Sequence, residues 1–123
     1  RARAALRDLY PYVRAVGCDV LGQTDEAAYI HDLIPLVDDL AEARYDLTGW
    51  TRLDGEPGSL LHAVPGRPHV AEAALYAVET LSDGAIHLPF GGHEDAAERL
   101  QLSIRSAQQW YARERSRLPS PLP

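Results

Sequence analysis

An all-α fold, a four-helix bundle-like single domain, is what the sequence predicts, and three observations lead there. Apolar residues recur at spacings of three and four in four segments, the pattern of helices with one buried face. Glycine and proline concentrate between those segments, and no segment shows a convincing strand pattern. The chain has 123 residues, enough for one domain to bury a core without metal or disulfide support.

The first helix is expected at about residues 2–21. Pro11 lies inside it and removes one backbone donor, which predicts a kink or two short helices. The apolar edge that we expect to face the core consists of Leu6, Leu9, Val13, Val16 and Val20.

The second helix is expected to begin after Thr24, a good N-cap, and to run to about Thr48. Gly49 can supply the left-handed residue that ends it. Pro35 predicts a bend within it, and the alternative is two helices broken near Ile34.

The third helix is expected from Pro68, which suits a first helical position, to Ser82. The connection over 49–67 is long for a compact domain, so we expect a short extra helix in it, at about Ser59–Val64. A second connection follows at 83–92. The predicted core edge of the third helix is Ala71, Ala74, Leu75, Val78 and Leu81.

The last helix carries acids at its start and arginines at its end, as the helix dipole favours. Its predicted core stripe is Leu100, Ile104, Ala107 and Tyr111. Pro119 ends it. The helical domain therefore spans 1–118, and the proline-rich tail 119–123 is expected to be extended and mobile.

Composition narrows the classes of partner. Acids outnumber bases, and residues 19–56 carry ten acids against two arginines, so direct nucleic-acid binding is not expected. No apolar run is long enough for a membrane span, and the single Cys18 fits a reducing compartment, which together predict a cytoplasmic protein. The absence of Lys, Asn and Met indicates a high-GC bacterial genome, and the missing initiator Met indicates a trimmed or partial chain.

Four aspartates recur at seven-residue intervals, Asp25, Asp32, Asp39 and Asp46. On one helix they would share a narrow stripe opposite the apolar face. Such a stripe can bind a basic partner by electrostatic steering. The simpler interpretation, which we favour, is the solvated side of the helix or a face that pairs with Arg7 and Arg14 of the first helix.

Catalytic and metal-binding patterns are weak. No Glu is followed by His three residues later, as carboxylate-bridged metal sites in bundles require, and one Cys cannot make a structural zinc site. We expect no cofactor and no metal. Cys18, beside Val16 and Val20, is interpreted as a small buried hydrophobe.

The functional expectation is a non-enzymatic module that binds another protein or itself through a helical face. The alternative is a small-molecule-binding or enzymatic bundle with a pocket between residues 49–67 and 83–93. That pocket would be lined by Trp50, His62, His87, Phe90 and His93.

Overall fold

A computed structural model describes residues 2–51, 57–63, 69–88 and 96–123. The α-helices are α1 (Ala2–Ala5), α2 (Pro11–Gly22), α3 (Ile30–Leu33), α4 (Val70–Leu81) and α5 (Ala96–Glu114). Single 3₁₀ turns occupy Ala27–Tyr29, Ile34–Leu36 and Arg115–Arg117. Two strands, β1 (Arg44–Thr51) and β2 (Pro57–Ala63), form an antiparallel pair.

The predicted helical class is confirmed, because packed helices make up most of the described chain. The four-helix bundle arrangement itself stays a prediction. Within the described residues, α4 lies at the centre of the core and contacts α2, α3 and α5. All five residues of its predicted core edge are buried, as expected for that face.

Helix α2 packs on α4 and α1 through its smallest residues. A methyl group on Gly22 would lie 3.0 Å from Cβ of Ala77, and one on Gly17 would lie 3.0 Å from Cβ of Ala5. The buried residues of α2 are Ala15, Gly17, Cys18, Leu21 and Gly22. The predicted core edge of the first helix is therefore wrong over α2: Val16 and Val20 are exposed, and so is Leu9 in the turn before it.

The predicted second helix from Thr24 to Thr48 is also wrong. Helical backbone covers only Ala27–Leu36 in three short pieces, and the change from α-helix to 3₁₀ turn at Ile34 matches the alternative break. Pro35 has no N–H to continue an α-helical ladder. The chain then runs alongside the start of α4, where the carbonyl of Asp39 accepts the N–H of Ala71 at 2.8 Å.

The connection between α3 and α4 forms a hairpin instead of a helix. Arg44 pairs with Ala63 and Thr51 with Pro57, and the register shifts between Thr48 and Trp50. The short helix predicted at Ser59–Val64 is therefore wrong for the part that the structure describes, residues 59–63.

Helix α5 follows the predicted stripe. Ile104 and Ala107 are buried, and Leu100 and Tyr111 are half-buried against the same core. Arg113 lies in its last turn as predicted, whereas Glu94 and Asp95 lie outside the described residues. Within the described ranges, no helix combines the length and apolar character that crossing a bilayer requires.

Candidate interaction surfaces

The four aspartates do not share a helix face. Asp25 precedes the first 3₁₀ turn with a φ of 60°, a left-handed conformation outside any helix, and its side chain is exposed. Asp46 lies in β1. Only Asp32 is on an α-helix, and Asp39 follows the last helical turn of that segment. A common acidic stripe is therefore ruled out, while a role for these residues in partner binding stays a prediction.

Two of these carboxylates face arginines of the same chain. Arg14 donates from Nε to Oδ2 of Asp39 at 2.9 Å, which confirms the predicted pairing for this arginine. Asp32 pairs at 3.1 Å with Arg3 instead of the predicted Arg7. Both pairs are partly buried, so these acids are less available to a partner than freely solvated carboxylates.

The predicted loop pocket cannot be assembled from the described residues. His87 is exposed, and Phe90 and His93 lie outside the described ranges. Trp50 pairs with Gly58, and His62 with Tyr45, across the hairpin backbone. A cavity shared by all five side chains stays a prediction.

An aliphatic surface that we call the outer strip, made of Leu9, Val13, Val16 and Val20, follows α2 on the side away from its small-residue face. Leu9 is 84% exposed, Val16 37% and Val20 47%, and Val13 is half-buried. Val13, Val16 and Val20 lie on α2 at spacings of three and four, those of the a and d positions in a coiled coil, and Leu9 lies in the turn before this helix. Within the described part of the chain, the small-residue face of α2 is buried and the outer strip is largely exposed.

The close approach of α2 to α4 explains this exposure. Side chains between two helices set their separation, and small residues allow the backbones to come close together. Even a Cβ atom on Gly22 would lie only 3.0 Å from Cβ of Ala77, so valine or leucine would not fit at this position. The sequence contained the signal for the outer strip, but periodicity alone does not show which of two apolar faces is buried.

Comparisons of this chain with family models, curated proteins and solved structures gave no match.

A second surface is a cleft of about 560 Å³ that we call the α1–α3 cleft. It is lined by Arg3, Ala4, Leu6, Arg7, His31, Asp32, Pro35 and Leu36. The C-terminal segment, residues 118–123, is held by two of these lining residues. Nε2 of His31 lies 2.8 Å from the carbonyl oxygen of Pro119, and Arg3 donates to the carbonyl oxygens of Leu122 and Pro123 at 3.0 and 2.7 Å.

Two features of the described residues concern metal binding and nucleophilic chemistry. No three His, Cys, Asp or Glu side chains within it are grouped so that they could hold a metal ion. Burial, together with the charges of Asp19 and Asp39, raises the pKa of the Cys18 thiol to about 12. A thiol with that pKa is protonated at neutral pH and is a poor nucleophile. The candidate functional surfaces are therefore the outer strip and the α1–α3 cleft.

Proposed function

We propose that this chain is a non-enzymatic protein–protein interaction module that self-associates through the outer strip. The observation that carries this proposal is the exposure of regularly spaced aliphatic side chains on α2, a helix whose other face is already anchored in the core. An exposed apolar patch on a folded domain commonly marks an interaction site.

A second copy of the chain is the partner that suits the outer strip best. On a helix, apolar residues at alternating spacings of three and four form a narrow line along one side. Two such helices pack together when the side chains of each insert between those of the other, the knobs-into-holes packing of coiled coils. Identical strips satisfy this condition around a two-fold axis, the commonest symmetry of protein dimers. The strip residues on α2 are all valines, Val13, Val16 and Val20, so side chains of one size would face each other between two copies of the chain.

The expected association is weak and depends on concentration. Burial of the eight strip side chains in a dimer gains roughly 1 kcal/mol each, because they are already partly covered. Loss of translational and rotational freedom costs about 4–15 kcal/mol. These terms are similar in size, so we expect reversible dimers and not an obligate assembly.

The acidic face that the sequence suggested is not part of this proposal. The single helix on which it depended does not exist, and Asp32 and Asp39 are engaged with Arg3 and Arg14.

Sedimentation equilibrium tests this function, over roughly 10 μM to 1 mM protein to cover weak affinities. The wild-type mass should rise above 13.5 kDa as concentration increases. The double variant Val16→Glu/Val20→Glu should stay monomeric, because association would bury two charges on each copy.

Matched to the single variant Val20→Glu, whose valine is 47% exposed, the control Leu102→Glu places one charge on α5 at an apolar residue that is 45% exposed. It should associate like the wild type. A wild type that remains monomeric at the highest concentration would overturn self-association, and so would equal effects of the strip and control variants.

A further inference from the structure

Residues 118–123 are held at the edge of the α1–α3 cleft, where their backbone oxygens accept hydrogen bonds from two residues that line it. The three contacts to this segment are those of His31 with Pro119 and of Arg3 with Leu122 and Pro123, all at 2.7–3.0 Å. A carbonyl oxygen can only accept, so Nε2 of His31 carries the proton. These contacts recognise the backbone oxygens of the segment and do not depend directly on its side chains.

The ring of His31 is oriented for this contact by α5. The hydroxyl of Tyr111 lies 2.7 Å from Nδ1, and the two rings meet edge to face at 75°. In the tautomer with the proton on Nε2, Nδ1 accepts the hydrogen bond that Tyr111 donates. Tyr111 is not among the residues that line the cleft, and the guanidinium of Arg115 lies 5.7 Å from the centre of its ring, so its part here is to orient the His31 donor.

The prolines of the segment favour an extended polyproline II conformation, and they alternate instead of having the Pro-x-x-Pro spacing of common polyproline ligands. Pro119, Pro121 and Pro123 fix their own φ angles near the polyproline II value and bias the residue before each of them toward the same region. Leu118 has φ −74° and ψ 155°, close to that conformation. Three residues make one polyproline II turn, so the carbonyls of Pro119 and Leu122 lie on the same side of it.

The segment leaves polar groups of the cleft unused. Oδ2 of Asp32 is buried and has no hydrogen-bond partner among the described residues, although buried acceptors are usually satisfied. The guanidinium of Arg7 lines the cleft, and no described residue pairs with it. A segment with a donor facing Asp32 and a further carbonyl near Arg7 would make more contacts than residues 118–123 make.

We infer that the α1–α3 cleft, with His31 and Tyr111 beside it, is a binding site for an extended proline-rich segment of a partner protein. Residues 118–123 already engage Arg3 and His31 in cis, and they compete with that segment for these two lining residues. None of the residues of this site belongs to the outer strip, so the tests of this inference and of self-association are independent.

Fluorescence anisotropy of a labelled peptide with the sequence of residues 118–123 tests the inference on the full chain. Replacing Pro119, Pro121 and Pro123 by glycine should release the segment that competes in cis. Because a tethered competitor acts at an effective concentration of about millimolar, the triple variant should bind the peptide at least about tenfold more tightly than the wild type does.

Two controls make the result specific. Adding Arg3→Gln and His31→Gln to the triple variant should weaken peptide binding by tenfold or more, and a peptide with glycine in place of each proline should bind more weakly. A peptide affinity that is the same in the wild type, the triple variant and the Arg3→Gln/His31→Gln variant would overturn the inference.

A second measurement needs no substitution. Titration of the wild-type chain with the peptide should shift the side-chain NMR signals of His31 and Tyr111. If those signals stay unchanged at saturating peptide, while signals elsewhere move or none do, the peptide does not bind at this site and the inference is wrong.

Discussion

The guanidinium of Arg14 in α2 donates from Nε to the Asp39 carboxylate at 2.9 Å, and Nη1 of the same arginine donates to the carbonyl of Asp8, also at 2.9 Å. Asp39 in turn accepts the N–H of Ala41 at 3.1 Å. One arginine therefore ties α2 to the turn before it and to the end of the α3 region. An acid that the sequence suggested for partner binding is part of the internal structure.

Loss of this pair should destabilise the domain. We expect Arg14→Ala to lower the free energy of unfolding by about 1–3 kcal/mol, because it leaves the partly buried Asp39 carboxylate without its charged donor. Urea denaturation measures the change. The control is Arg117→Ala, whose pair with Glu114 is exposed and should contribute less than about 1 kcal/mol. Equal losses in the two variants would contradict this account of Arg14.

The contact of α2 with α4 predicts a size-swap experiment. Gly22→Ala should destabilise the domain by roughly 1–3 kcal/mol, since the new methyl group would overlap that of Ala77 at 3.0 Å. Adding Ala77→Gly removes the opposing methyl group and should recover part of the loss relative to the sum of the two single changes. Thermal or urea unfolding of all four proteins measures this coupling. Strictly additive effects would show that the two residues do not touch.

Cys18 predicts a pH dependence of stability. Burial raises the pKa of its thiol from 9.0 to about 12 in the folded state, and the charges of Asp19 and Asp39 act in the same direction. Between these values the unfolded chain releases the proton while the folded chain keeps it. The Cys18 contribution to stability is therefore complete below pH 9 and falls as pH rises toward 12.

Urea unfolding at pH 8 and at about pH 10.5 tests this linkage. The wild type should lose more stability between the two pH values than Cys18→Ala, which lacks the titrating group. A thiol reagent should also react slowly with the native protein at pH 8, because the buried thiol is protonated. Equal pH slopes for the two proteins would contradict a raised thiol pKa.

The helices α4 and α5 could be predicted from sequence for different reasons. In α5, Ile104 and Ala107 recur at helical spacing among polar residues, so burial could fall on only one side. Helix α4 is apolar over most of its surface and is buried on most sides, as a central helix must be. Pattern and packing agree in these helices.

The second predicted helix failed for a different reason. Seven-residue spacing of aspartates is compatible with a helix but does not require one, and Pro35 removes a donor that a long helix needs. The strand Arg44–Thr51 contains Tyr45, Leu47 and Trp50, residue types common in strands, and the dipeptide Asp54-Gly55 is a frequent hairpin signal. These signals of strand structure were available in the sequence.

The outer strip was predicted as core because its leucine and valines are spaced like the apolar edge of a helix. In the structure the small residues of α2 are buried instead, because they let α2 approach α4 closely. Nor could sequence pair His31 with Tyr111 or Arg3 with the C-terminal segment, contacts that join distant parts of the chain.

A dilution series followed by ¹H–¹⁵N NMR tests self-association through the outer strip most directly. Between roughly 1 mM and 10 μM, a range chosen for weak affinities, the amide signals of Leu9, Val13, Val16 and Val20 should shift together, and those of Val16→Glu/Val20→Glu should not. Both proteins should have the same fold, because substitutions at exposed positions usually change stability by less than about 0.5 kcal/mol. Wild-type strip signals that do not change with concentration would contradict the proposed function.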